Sequence, residues 1–174
     1  MRALALLPLL VAASCGYTWG ARATAERTAQ GTLPRVAVLP FDNETFRRDL
    51  EIRLTRLVAD EIRARSPDSP GTPEEADWLL TGTIVSADER VLSEDRDDLV
   101  RESSFVIAVR VEVRERASDK LIRTYPLEEQ EPFSSRAGRI ATVQQAQEQA
   151  LRDLAEKIAY RLEADAPGKT HDRR

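Results

Sequence analysis

Phe105-Val106-Ile107-Ala108-Val109-Arg110-Val111-Glu112-Val113-Arg114 is the stretch that decides the fold. Its odd positions are Phe, Ile and three Val. Its later even positions are Ala108, Arg110, Glu112 and Arg114. Side chains alternate faces along a strand, so the stretch has one face for a core and one for solvent, as in an antiparallel sheet. Ser118-Asp119 follows as a hairpin turn, and Leu121-Ile122-Arg123-Thr124-Tyr125 returns as the next strand before Pro126.

Upstream, Trp78 to Ala87 (WLLTGTIVSA) reads as a further strand. The charged stretch 88–104, with Glu94, Asp95, Asp97 and Asp98, reads as a loop or as the exposed end of a long hairpin. Val36-Ala37-Val38-Leu39-Pro40-Phe41 is a continuous apolar run of the kind that suits a strand buried on both faces, with Pro40 at its end. After the turn-forming Asp42-Asn43-Glu44-Thr45, residues 46–65 repeat apolar groups at helical spacing: Phe46, Leu50, Leu54, Leu57, Val58 and Ile62. Pro67, Pro70 and Pro73 end that helix. Residues 137–164 give a second helical stripe through Val143, Ala150, Leu151, Leu154, Ile158 and Leu162, and Pro167-Gly168 stops it. The order is β-α-β-β-β-α. Each helix has one apolar stripe, so we expect an α+β two-layer sandwich, two helices on one face of a four-stranded, mainly antiparallel sheet.

The N-terminus has a separate logic. Met1-Arg2 precedes the apolar run Ala3–Val11 and the small residues Ala12-Ala13-Ser14, followed by Cys15, the single cysteine. A positive start, an apolar middle and a small-residue end make a secretory signal, far shorter than the roughly 20 residues a spanning helix needs. The Cys15 context resembles the lipobox of bacterial lipoproteins. That resemblance implies cleavage before Cys15, lipid on its thiol and on the new amino terminus, and, with Gly16 rather than Asp next, sorting to the outer membrane. One acyl chain anchors only marginally, whereas several hold stably. The expected divisions are a signal over 1–14, a lipidated tether over 15–32, one domain over 33–164 and a disordered tail over 165–174. Tyr17 and Trp19 in the tether suit a headgroup region.

Composition narrows the function classes. Lys+Arg 26 and Asp+Glu 30 are interspersed and give a net charge of −4, which is a solvated surface and not a nucleic-acid footprint. His171, the one histidine, falls in the expected tail, so no positioned Ser-His-Asp or Cys-His set can form. There is no CxxC, HExxH or phosphate-cradling glycine loop, and no cofactor or metal is expected. The acidic run 94–98 lacks the spacing of a calcium loop and reads as solvated. Arg110, Arg114 and Arg116, with Lys120 past the turn and Arg123 on the return strand, could line the open sheet face and meet phosphates or carboxylates of a ligand or partner. The simpler reading, and the favoured one, is ordinary cross-strand pairing with Glu112 and Glu128.

The order of these segments resembles the lipopolysaccharide-assembly lipoprotein family LptE. The resemblance rests on Cys15-Gly16-Tyr17, on Val36 through Thr45, on the helix through Leu50 and Leu54, and on Ala76-Asp77-Trp78-Leu79-Leu80-Thr81-Gly82-Thr83-Ile84. The strand 105–114 and the alanine-containing last helix complete it. It implies two helices on a four-stranded sheet and a non-enzymatic role as plug and assembly factor of the outer-membrane barrel LptD, with lipopolysaccharide as a further candidate ligand. The alternative is a lipid-anchored adaptor of another envelope or secretion machine, because Val36 to Asn43 also looks like the opening strand of TolB-like and curli-secretion-like domains. An envelope hydrolase using acidic residues is the third reading, and the missing base and metal spacing count against it.

Overall fold

The computed structural model describes residues 34–69, 71–94, 100–134 and 139–166. Cys15, Tyr17, Trp19 and His171, and the side chains of the acidic run 94–98, lie outside the described residues.

Among the described residues the elements follow in the order β1 (Val36–Val38), β2 (Asp42–Asn43), α1 (Leu50–Arg65), a 3₁₀ turn (Pro73–Glu75), β3 (Trp78–Glu94), β4 (Val100–Glu115), β5 (Lys120–Ser134) and α2 (Arg139–Ala164). β3, β4 and β5 form an antiparallel meander, while β1 and β2 pair in parallel with β3 along its other side. The sheet is therefore mixed. The parallel pairing follows from connectivity, since β1 reaches β3 only through the α1 crossover. β2 adds a fifth, two-residue strand that the turn-rich sequence Asp42-Asn43 did not announce.

The odd residues of β4 fill the core: Phe105, Ile107, Val109, Val111 and Val113 are each at most 2% exposed. Leu80 and Ile84 of β3 join them, and the helices close over this face with Leu50, Leu54, Val58 and Ile62 of α1 and Leu151, Leu154, Ile158 and Leu162 of α2. Each such side chain contributes about 1.5–3 kcal/mol relative to exposure. Ala146, Ala150, Ala155 and Ala159 on the same face of α2 are also buried. Arg65 at the end of α1 reaches Glu156 and Glu163 of α2, at 3.8 and 3.6 Å.

The strands run longer than their apolar patterns. β3 continues to Glu94 and β4 begins at Val100, so residues 88–94 and 100–104 of the charged stretch are the outer arms of a long antiparallel pair. Val91 and Leu92 stand 50% and 46% exposed there, past the core. β5 carries on through Glu128-Glu129-Gln130-Glu131 to Ser134. It is an edge strand, and Pro126 and Pro132 within it are tolerated for that reason. Lys157 of α2 donates to the Glu128 carbonyl and to the Glu129 carboxylate. Asp165 and Ala166, expected to open the tail, are ordered: Ala166 is buried and Asp165 accepts a hydrogen bond from the Tyr125 hydroxyl at 3.0 Å.

Candidate functional site

The cations expected to line one surface are not gathered. Arg110 lies between Thr83 and Pro126 on the face away from the helices, exposed and without an ion pair among the described residues. Arg114 shares that face but is paired with Glu112 at 3.1 Å and Asp119 at 3.7 Å. Arg116 sits in the turn and donates from Nε to the Ala76 carbonyl at 2.7 Å. Lys120 is exposed opposite Glu115. Arg123 is opposite Val113, so it projects to the helix side, where Asp165 lies 3.9 Å away. A register shift between Val113 and Arg114 separates the parity of Leu121 from that of Arg123. Glu112 neutralises Arg114, but along the same strand two residues away and not across the sheet as expected. Glu128 instead offers its carbonyl to Lys157.

Among the described residues, Tyr125 is the one titratable group that departs clearly from its ordinary value. Burial pushes its hydroxyl well above the usual tyrosine range; the hydrogen bond to Asp165 and the Asp165 charge add to this, and Arg123 and Arg161 oppose it. A neutral tyrosine held on a carboxylate is a structural tie between β5 and the end of α2, not a proton donor aimed into a cleft. Among the described residues no group of three His, Cys, Asp or Glu side chains could hold a metal ion. No described helix is long and apolar enough to cross a membrane.

The built surface is elsewhere, in the loop between β2 and α1. Asn43 is its hub. Its Oδ1 accepts from the Thr45 backbone N–H at 2.9 Å, and its Nδ2 donates to the Arg47 carbonyl and to Glu51 Oε2. Arg47 spans to β3, donating from Nε to the Ala87 carbonyl at 2.9 Å and pairing with Glu89 at 2.9 Å. Its guanidinium also lies 5.4 Å from the centre of the Phe105 ring, within cation–π range. Asp49 takes a left-handed conformation, φ 67°, and gives α1 no side-chain cap. That conformation starts the helix at Leu50, so Phe46 drops out of the buried stripe and stands fully exposed. Beside it Val85 occupies a β-bulge between Ile84 and Ser86 and is 39% exposed. Residues 44–47 and 85–88 line one shallow groove. The period-3.6 reading put Phe46 inside; the signal against it was Asp49 next to Leu50, a turn residue where a helix was already assumed.

These observations define an α+β domain whose distinctive groups are on its surface, in a strapped loop and an extended hairpin, and not in an enclosed cavity. The family model "LptE: Lipopolysaccharide-assembly" matches residues 33–165, and the chain belongs to that family. No curated protein matches the sequence. Among solved structures, a protein from Xanthomonas campestris superposes with TM-score 0.58 at 12% identity, covering 76% of this chain and 86% of that one. A minor lipoprotein from Acinetobacter baumannii gives 0.51 at 12%, covering 75% and 94%. A hypothetical protein from Chlamydia trachomatis gives 0.52 at 14%, covering 76% and 97%. At these identities the likeness is one of fold, and it agrees with two helices on a mixed sheet.

Proposed function

We propose that this chain is an outer-membrane lipoprotein, held by lipid on Cys15 and facing the periplasm, that serves without catalysis as plug and assembly factor of an LptD-type barrel and so supports lipopolysaccharide transport to the cell surface. The observation that carries the reading is the family match over residues 33–165, which covers the whole two-layer domain. The lipobox-like context of Cys15 supports the anchoring, and a fold that keeps its polar groups outside supports a role in contacts. Of the five candidate cations, Arg110, Arg116 and Lys120 carry no ion pair among the described residues, and Arg116 is engaged by the Ala76 carbonyl, so Arg110 and Lys120 are the ones available to a phosphate or carboxylate. The test is recovery of the tagged, lipidated chain from detergent-solubilised outer membranes. An LptD-type barrel in comparable amount is the expected companion. Recovery of the folded chain with no barrel would sink the proposal.

A further inference from the structure

We propose that the Phe46 loop is the anchor by which this domain seats against its barrel partner, with Phe46 and Val85 entering an apolar recess rimmed by lysine or arginine. The inference rests on the barrel reading above and names the surface that reading leaves unspecified.

Single exposed apolar residues are ordinary and need no explanation. Phe46 differs in how it is held. Its relative exposure is 105%, so the ring contributes nothing to the core, yet the residues around it are strapped on both sides. Asn43 ties the loop to the start of α1, Arg47 ties it to Ala87 and Glu89, and the Glu44 N–H donates to the Ile84 carbonyl at 3.0 Å. An aromatic side chain on a fixed backbone has little conformational freedom to lose on binding, which is what makes a contact residue worth more than its area. Aromatic residues are enriched at such contacts, and a few of them carry most of the energy. The bulge at Val85 acts in the same direction, because a bulge re-aims a side chain out of the strand pattern.

Charge decides the occupant. Glu44 and Asp88 line the groove with the pair, are exposed, and have no ion pair among the described residues. Arg47 is engaged by Glu89 and the Ala87 carbonyl, and the neighbouring Arg48 and Asp49 offset each other. The rim is therefore anionic. An anionic membrane surface would be repelled by it, and a second copy would bring the same charges to the contact, whereas a recess bordered by lysine or arginine complements it.

The experiment uses the full-length lipidated chain. Wild type, Phe46→Ala and Phe46→Asp are recovered from solubilised outer membranes, and barrel yield is compared at equal bait. Thermal melting of each should match wild type, because the ring is outside the core. We expect about a tenfold or greater loss of barrel with Phe46→Asp, a smaller loss with Phe46→Ala, and a loss with Glu44→Lys plus Asp88→Lys that high salt reproduces in wild type. Barrel recovered by wild type and equally by Phe46→Asp would overturn this proposal and leave the barrel reading standing. No barrel with wild type would overturn both. A photoreactive phenylalanine at position 46 supplies an independent readout: a crosslink to the barrel supports the anchor, and one confined to lipid or to a second copy of this chain refutes it.

Discussion

Replacing Gly82 by Ala tests how the core is closed over β3. Gly82 faces the helix side opposite Val111, and Phe41 fills the space a side chain would take. A Cβ on Gly82 would lie 2.4 Å from Phe41 Cε1 and 2.7 Å from Cδ1. Carbon atoms prefer about 3.5–4.0 Å, so the ring would have to retreat by an ångström or so. It has little room to do so. Phe41 is 3% exposed, and its backbone N–H donates to Thr55 Oγ1 at 3.0 Å, which pins it to α1. Overpacking of this kind costs about 1–3 kcal/mol. Against it stands a gain of about 0.5–1 kcal/mol from removing glycine's freedom in the unfolded chain. Steric cost wins, with a net loss of about 1–2 kcal/mol and a fall in Tm of roughly 2–8 °C for a domain this size. The assay is urea and thermal unfolding of residues 16–174, which omit the acylated cysteine. Repeating Gly82→Ala in a Phe41→Leu background should remove most of the penalty, since the two positions share one space. A stabilised Gly82→Ala single variant, or an unchanged penalty in the Phe41→Leu background, would refute the reasoning.

Other perturbations separate buried from exposed contacts. The Asp77 side chain is 5% exposed and accepts from the Arg35 backbone N–H at 3.1 Å and from its guanidinium at 3.4 Å, so Asp77→Asn should cost about 2 kcal/mol in urea unfolding. Arg114 is 36% exposed in its pair with Glu112, and Arg114→Ala should cost less than about 1 kcal/mol in the same measurement. Tyr125 has a folded-state value above its unfolded one, so native protein holds the proton longer: its contribution is complete below about pH 10 and is lost as pH rises toward the folded value. Tyr125→Phe should therefore flatten the decline of the urea midpoint above about pH 10, and an equally steep decline there would remove Tyr125 from the explanation. Cys15→Ala should move the chain from the membrane fraction to the periplasm, as cell fractionation would show; a variant still firmly membrane-bound would contradict anchoring by lipid alone.

The parts of the fold that were legible are those where burial wrote a period. Phe105 through Val113 and Leu50 through Ile62 each alternate or repeat against one core, and both elements are where that spacing put them. Residues 88–94 could be read only as a loop or as the exposed end of a hairpin, which is what they are, and 126–134 were not readable as a strand, for the opposite reason. They extend past the core or along an edge, so hydrogen bonding to β4 holds them and no apolar alternation is required. The cation row lost Arg123 to register, because the extra residue at Ile122 turns Arg123 to the helix side, whereas Arg114 is taken by ion pairs and Arg116 by the Ala76 carbonyl. Phe46 failed on a single backbone angle at Asp49. The candidate contact surface thus lay in the features that break pattern, a positive φ and a bulge, which composition and periodicity do not encode.

The central claim is that this domain works in lipopolysaccharide assembly through a barrel partner. Depleting the protein and measuring surface against total lipopolysaccharide tests it most directly. The account predicts that the surface fraction falls as the protein disappears and recovers when it is restored; an unchanged surface fraction under complete depletion would contradict it and favour an adaptor of a different envelope machine.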